Sequence, residues 1–149
     1  MIGARFFDNG QTNEGRAFVY HGSSTGLSAT VNWNAESDQA DAQFGYSVSI
    51  AGDVNGDGYS DVIVGARFID NGQANEGRAI VYHGSASGLS ASANWSAESD
   101  QANAWFGFSV STAGDINGDG YSDVIVGAHK FEKVQTDEGR TFVYQGSAS

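Results

Sequence analysis

Two nine-residue segments of the chain concentrate side-chain oxygens at alternate positions. Residues 53–61 read Asp-Val-Asn-Gly-Asp-Gly-Tyr-Ser-Asp, and residues 115–123 differ from them only by Ile in place of Val. Carboxylate and amide oxygens are the ligands that hard cations such as Ca²⁺ prefer. Alternate spacing curls these side chains toward one point, and glycine at the sixth position permits the sharp turn. The two segments therefore predict two metal sites.

Asn-Gly and Asp-Gly pairs also form ordinary tight turns, so a loop without metal is the alternative interpretation. A turn alone does not explain why three carboxylates converge, since they would repel one another without a cation. An EF-hand would continue to a glutamate at position 12, where Val64 and Val126 stand. The many oxygens of the loop favour Ca²⁺ over Mg²⁺, with the carbonyls of Tyr59 and Tyr121 at position seven.

The elements that position these loops repeat along the chain at an offset of 62 residues. When residues 3–62 are aligned with residues 65–124, 13 of the 60 positions differ. We expect one repeat segment over residues 1–149, divided into repeats at 1–62 and 63–124 and a partial repeat at 125–149.

The apolar pattern within a repeat has the period of strands. Residues 44–50 alternate large and small side chains, residues 61–66 form a β-branched run, and residues 78–83 form a third apolar segment. A weaker fourth segment covers residues 90–95, and no window carries a helical stripe. Four short strands in a tandem repeat favour a β-propeller blade. We predict an all-β chain of about two and a half blades, each of four antiparallel strands. The chain would run from the second strand of one blade to the third strand of the blade two further on.

Paired motifs around the acidic loops resemble those of a known family. Phe44-Gly45 precedes the first loop and Gly65-Ala66 follows it, and the same two pairs flank the second loop at residues 106–107 and 127–128. In this order and spacing they resemble the FG-GAP repeat of integrin α-subunit propellers and their bacterial relatives. The resemblance implies propeller blades, Ca²⁺ in the hairpin loops, and a role outside the cell in adhesion or ligand binding.

Position by position, the resemblance extends to both loops. The motif's proline is replaced by Arg67 and His129, and residues 129–134 diverge from their counterparts, without touching either loop. The implied Ca²⁺ ligands are Asp53, Asn55, Asp57, Tyr59 and Asp61 at one site, and Asp115, Asn117, Asp119, Tyr121 and Asp123 at the other.

Charge and composition disfavour several kinds of partner. Eighteen acidic residues against seven Lys and Arg give a net charge of −11, which disfavours nucleic acid and anionic membranes. The chain has no cysteine, no apolar run long enough to span a membrane, and no signal-peptide pattern at its start.

Other polar and aromatic positions are interpreted as structural. His21 and His83 are equivalent and the third copy has Gln145, so we expect polar residues at strand ends. The Glu-x-Arg pairs at 14/16, 76/78 and 138/140 are predicted to stabilise hairpins. The three tryptophans are expected in the core or between blades, although a sugar-binding platform is the alternative; Trp105 stands apart because its counterpart is Gln43.

These features predict a calcium-binding, non-catalytic extracellular or cell-surface module for adhesion, with a protein or carbohydrate ligand. One alternative is a propeller segment of a larger secreted enzyme, a lyase or hydrolase. Another is an oligomerising fragment with a purely structural role. Because a blade must bury both faces, we expect the chain either to continue in a longer propeller or to associate with further copies.

Overall fold

Residues 1–148 are described by a computed structural model, and they form β-strands and turns. Within this range no helix occurs, and hence none that could span a membrane. The strands are β1 (Ile2–Ala4), β2 (Arg16–Val19), β3 (Gly22–Ser23), β4 (Gly26–Leu27), β5 (Trp33–Glu36), β6 (Phe44–Gly52), β7 (Asp61–Ala66), β8 (Arg78–Tyr82), β9 (Trp95–Glu98), β10 (Phe106–Gly114), β11 (Asp123–Ala128) and β12 (Arg140–Tyr144).

Three antiparallel sheets follow one another along the chain. Their strand orders are β1-β2-β5, β6-β7-β8-β9 and β10-β11-β12, and β3 and β4 form a separate small hairpin. The middle sheet is a complete four-stranded blade. By the 62-residue offset, the first sheet holds strands two to four of a blade and the third holds strands one to three. The predicted all-β fold of partial propeller blades is confirmed.

β7 shows why alternation along a strand builds two cores. All six of its residues are buried. Val62 and Val64 pack with Trp33 in a cluster between the first and second sheets, whereas Ile63 packs with Phe106 in a cluster between the second and third. Because successive side chains point to opposite faces, one β-branched strand serves both clusters.

The fourth strand of the blade was predicted wrongly at residues 90–95. The strand is Trp95–Glu98, and the preceding residues form bends and turns. Its Trp-Ser-Ala-Glu sequence carries little strand preference by itself. Pairing with β8 places it, with Val81 opposite Trp95 and Arg78 opposite Glu98.

The Phe-Gly and Gly-Ala motifs meet where neighbouring blades touch. The pairing of β6 with β7 is interrupted between Phe44 and Ser47, and Gly45 there has a φ of +79°. A Cβ on Gly3 would collide with the carbonyl oxygen of Gly45, and a Cβ on Gly65 would collide with that of Gly107. These glycines therefore allow adjacent blades to approach backbone to backbone.

All three tryptophans pack between blades, as expected. Trp33 makes an edge contact with Tyr82 at a ring distance of 4.8 Å, and its indole donates to the carbonyl of Ser90 at 2.8 Å. Trp95 repeats the contact with Tyr144, also at 4.8 Å. Trp105 lies at the end of the sheets opposite the acidic loops, where it makes an edge contact with Phe68 of the second blade at a ring distance of 5.4 Å.

Candidate metal centres

Each acidic loop joins the first strand of a blade to the second. Residues 53–60 connect β6 to β7, and residues 115–122 connect β10 to β11. Gly52 pairs with Asp61 across the base of the first loop, so the first and last aspartates stand beside each other. At the predicted turn position, Gly58 has a φ of +86° and Gly120 a φ of +93°, which side chains rarely tolerate. The glycine spacing therefore has the predicted role.

Backbone amides hold the first aspartate of each loop facing inward. The Asp53 carboxylate accepts hydrogen bonds from the amides of Asp57 at 3.0 Å and Gly58 at 2.8 Å. Asp115 accepts the equivalent bonds from Asp119 at 3.1 Å and Gly120 at 2.9 Å. The two loops thus fold in the same way although they belong to different blades.

The third and fifth loop positions also turn toward this centre. The Asn55 side-chain amide donates to Asp57 at 3.0 Å, and the Tyr59 backbone amide donates to the other carboxylate oxygen of Asp57 at 2.9 Å. In the second loop Asp119 accepts the same two hydrogen bonds, from the Asn117 side-chain amide at 2.8 Å and from the Tyr121 backbone amide at 3.0 Å. Each carboxylate oxygen of Asp57 and Asp119 accepts one of these hydrogen bonds and keeps a second lone pair for a cation.

The last aspartate ties the loop to the rest of the blade. Asp61 is fully buried and accepts from the amides of Val54 at 2.8 Å and Gly84 at 2.7 Å. Asp123 is also fully buried and accepts from Ile116 at 2.8 Å and Gly146 at 3.0 Å. These hydrogen bonds explain why an aspartate stands at this position even without a metal. They are also compatible with metal binding, because each carboxylate oxygen of Asp61 accepts one of them and keeps a second lone pair.

Carboxylates in the middle and at the end of the first loop differ electrostatically. Burial raises the pKa of Asp61, although the amides of Gly84 and Val54 oppose this shift. Hydrogen bonds from the Tyr59 amide and from Asn55 lower the pKa of the exposed Asp57. A cation in the loop would favour the charged form of both groups. This set of hard oxygen donors fits a Ca²⁺ ion.

The two loops touch: residues at the end of the second loop cover the first loop, whereas within residues 1–148 no further blade covers the second loop. Ser122 donates its amide to the carbonyl of Asp53 at 2.8 Å, and its hydroxyl accepts from the Asp53 amide at 3.1 Å. The ring of Tyr121 lies against Gly56. Ile116, in the second loop, is 61% exposed within residues 1–148. The loops are alike in sequence but not in their support.

His83 lies beside the first loop, a placement that sequence reasoning missed. Its Nδ1 is 3.3 Å from the Asn55 side-chain nitrogen. The same position in the next blade is Gln145, so the two loops have different neighbours. The strand register explains this placement, because Tyr82 pairs with Val62 and so brings the next residue, His83, beside the end of the loop.

A separate acidic group forms around the Glu-x-Arg motif. Carboxylate oxygens of Glu76, Glu98 and Asp100 lie within 4.8 Å of one another. Arg78 forms an ion pair with Glu98 at 3.3 Å, and the backbone amide of Asn71 donates to the Glu76 carboxylate at 2.5 Å. Glu76 therefore holds its own hairpin while Arg78 joins two strands, in keeping with the predicted structural role.

This arrangement defines a class of protein: tandem propeller blades in which an acidic hairpin loop joins the first strand to the second. The family model of the FG-GAP repeat matches residues 44–82 and 106–144, so the chain belongs to the FG-GAP repeat family. Each matched segment spans strands one to three of a blade and includes the acidic loop.

Curated relatives are integrin alpha chains. Integrin alpha-7 of Homo sapiens is 31% identical over 129 residues, covering 86% of this chain and 10% of the relative. Integrin alpha pat-2 of Caenorhabditis briggsae is 42% identical over 93 residues, covering 59% and 7%. Integrin alpha-5 of Xenopus laevis is 28% identical over 159 residues, covering 99% and 15%. The chain thus spans only a small part of the relatives' length.

Proposed function

We propose that the chain is a calcium-stabilised, non-catalytic binding module that acts in adhesion at the cell surface or outside the cell. The observation that supports this most is the repeated acidic loop, whose inward-facing carboxylates are held by the same backbone amides in two blades. We assign the first Ca²⁺ to Asp53, Asn55, Asp57, Asp61 and the carbonyl of Tyr59. The second would bind the residues 62 positions further on.

Calcium suits these loops because of both donor type and donor number. Ca²⁺ takes six to eight oxygens in flexible geometry, whereas Mg²⁺ retains several waters and demands an octahedron. Three carboxylates, an amide and a backbone carbonyl within nine residues supply most of such a shell. The ion would offset the repulsion among the carboxylates and fasten the hairpin between the first two strands.

The adhesion role is inferred from the relatives' names as integrin alpha chains. We infer that a protein or glycan ligand binds the blades themselves, with calcium acting on their stability and not as a reactive centre. The division into repeats at residues 62/63 and 124/125 is part of this proposal.

Thermal unfolding with and without calcium tests the metal assignment. Extracellular calcium modules bind with dissociation constants of roughly 10⁻⁴–10⁻³ M. At a free concentration about tenfold higher, each site would contribute about 1.4 kcal/mol. For two sites we expect chelation to lower the Tm by roughly 6–11 °C. Combining Asp57→Ala with Asp119→Ala should remove that difference.

A control with the same loss of charge separates metal binding from general repulsion. Asp38 and Glu132 are exposed and lie outside both loops. The Asp38→Ala, Glu132→Ala variant should retain the full calcium shift. An identical melting curve of the unmodified chain with calcium and with chelator would refute the metal assignment.

A further inference from the structure

Cationic and aromatic side chains gather at the end of the sheets opposite the acidic loops. Arg5 follows β1, Arg67 follows β7, and Lys130 comes shortly after β11, so all three leave the second strand of a blade at the same end. Because the acidic loop enters that strand at its other end, six residues of strand, roughly 20 Å, separate the two features.

These cations alternate with aromatic rings across all three blades. The guanidinium carbon of Arg5 lies 5.2 Å from the Tyr46 ring centroid, and that of Arg67 lies 3.9 Å from the same ring. Arg67 is also 5.2 Å from the Trp105 ring, and the Lys130 Nζ is 4.4 Å from it. We call the series Arg5, Tyr46, Arg67, Trp105 and Lys130 the cation–aromatic ladder.

The ladder contains cations that no carboxylate of the described chain neutralises. Among residues 1–148 the ion pairs are Arg16 with Glu36 and Arg78 with Glu98, so no carboxylate lies in ion-pair range of Arg5, Arg67 or Lys130. Burial lowers the pKa of Arg67; Tyr46 opposes this shift, and the nearby charge of Arg5 adds to it. Three of the seven Lys and Arg residues are thus grouped without a counter-charge in a chain of net charge −11.

Stacking between blades explains only part of this arrangement. A guanidinium stacked on a ring keeps its in-plane N–H groups available at its edge. For Arg67, the Nε donates to the Gln43 side chain at 3.2 Å, and within residues 1–148 no ion pair takes up its remaining N–H groups. Arg5 is exposed, and Tyr46, Trp105 and Lys130 are half-buried, so the ladder is open to solvent.

We propose that the cation–aromatic ladder is a docking surface for a carboxylate-bearing peptide segment of a partner protein. Carboxylates accept paired hydrogen bonds from guanidinium edges, and the rings between the cations contact the apolar parts of the segment. The overall negative charge disfavours long polyanions. At physiological ionic strength screening acts over about 8 Å, so a short segment responds mainly to the local positive charge.

Peptide binding by the unmodified chain tests the surface directly. The probe is a fluorescein-labelled peptide of alternating Gly and Asp, seven residues long, with an Asn counterpart of the same length. Fluorescence anisotropy should show binding of the Asp peptide, weakened by added salt, and at least tenfold weaker binding of the Asn peptide. Arg5→Gln and Lys130→Gln should each weaken binding by roughly three- to tenfold.

Lys133→Gln is the matched control, because Lys133 is exposed and stands outside the ladder. It should leave peptide binding unchanged, and thermal melts should show that all three variants fold. Failure to bind the Asp peptide, equal binding of the Asn peptide, or tighter binding of a sulfated oligosaccharide would each overturn the proposal.

The docking surface rests on the proposed binding role but not on calcium. The anisotropy measurements are therefore made both with saturating calcium and with chelator at a temperature where the chain stays folded. Loss of the calcium-dependent Tm shift with retained peptide binding would refute only the metal assignment. Loss of peptide binding with a retained calcium-dependent Tm shift would refute only the docking surface.

Discussion

Glu14, Glu76 and Glu138 share one sequence context but not one environment. Glu14 and Glu76 are 1% and 0% exposed, whereas Glu138 is exposed. The reason is the blade that follows: the amide of Phe44 donates to the carbonyl of Glu14, and that of Phe106 to the carbonyl of Glu76, both at 2.9 Å. The covering strand, not the local motif, determines the burial of the carboxylate.

Replacing Glu76 should therefore cost more than replacing Glu138. Glu76→Ala removes the acceptor for the Asn71 amide and leaves a buried space, and we expect the free energy of unfolding to fall by about 1–3 kcal/mol. Glu138→Ala should change it by less than about 0.5 kcal/mol. Urea unfolding of both variants measures the difference, and equal losses would contradict this view of the motif.

At the scale of elements, the glycines of the two motifs decide how closely blades approach. A Cβ at Gly65 would collide with the backbone carbonyl of Gly107, whereas a Cβ at Gly127 would meet first the hydroxyl of Ser109. A backbone atom in a packed sheet cannot move aside, but a serine side chain can rotate. Two glycines in the same motif are thus under different constraints.

Gly65→Ala should separate two blades and Gly127→Ala should not. We expect the first variant to lose about 1–3 kcal/mol of unfolding free energy or more, and the second to stay close to the unmodified chain. Equilibrium denaturation gives the free energies, and the near-ultraviolet circular dichroism of Trp95 and Tyr144 reports the blade contact. Similar destabilisation by both changes would exclude a blade-specific role for Gly65.

At the scale of the molecule, the open stack leaves one face of the third blade exposed. Val143 is 50% exposed, and its counterpart Val81 is 2% exposed between the second and third sheets. Thr141 is likewise exposed where Ala79 is buried. Association of copies through such faces, or their covering by further blades, remains a prediction that the molecular mass by light scattering would test.

The same substitution at equivalent positions measures what a neighbouring blade contributes. Val81→Thr buries a hydroxyl in an apolar cluster and should cost about 1–3 kcal/mol. Val143→Thr should be nearly neutral when the chain is monomeric, because its side chain already contacts water. If the chain associates through this face, its Tm should rise with protein concentration, and Val143→Thr should reduce that rise.

Sequence alone predicted the features that arise within a few neighbouring residues. Oxygens at alternate positions and glycine at the sixth position specify the turn of the acidic loop because the amides that hold its first and fifth positions lie inside the same nine residues. The β-branched run at 61–66 specifies a strand buried on both faces for a similar reason. The Trp-Ser-Ala-Glu strand was misplaced because pairing with β8, and not strand preference, fixes its position.

The features that join different blades arise from tertiary packing and could not be read from the sequence. The bracing of Asp53 by Ser122, the burial of Glu76, and the alternation of Arg67 with Tyr46 and Trp105 each combine residues from separate sheets. The repeat offset does not reveal them, because near-identical motifs occupy covered and uncovered positions in the stack. What a motif contacts depends on which sheet packs next to it.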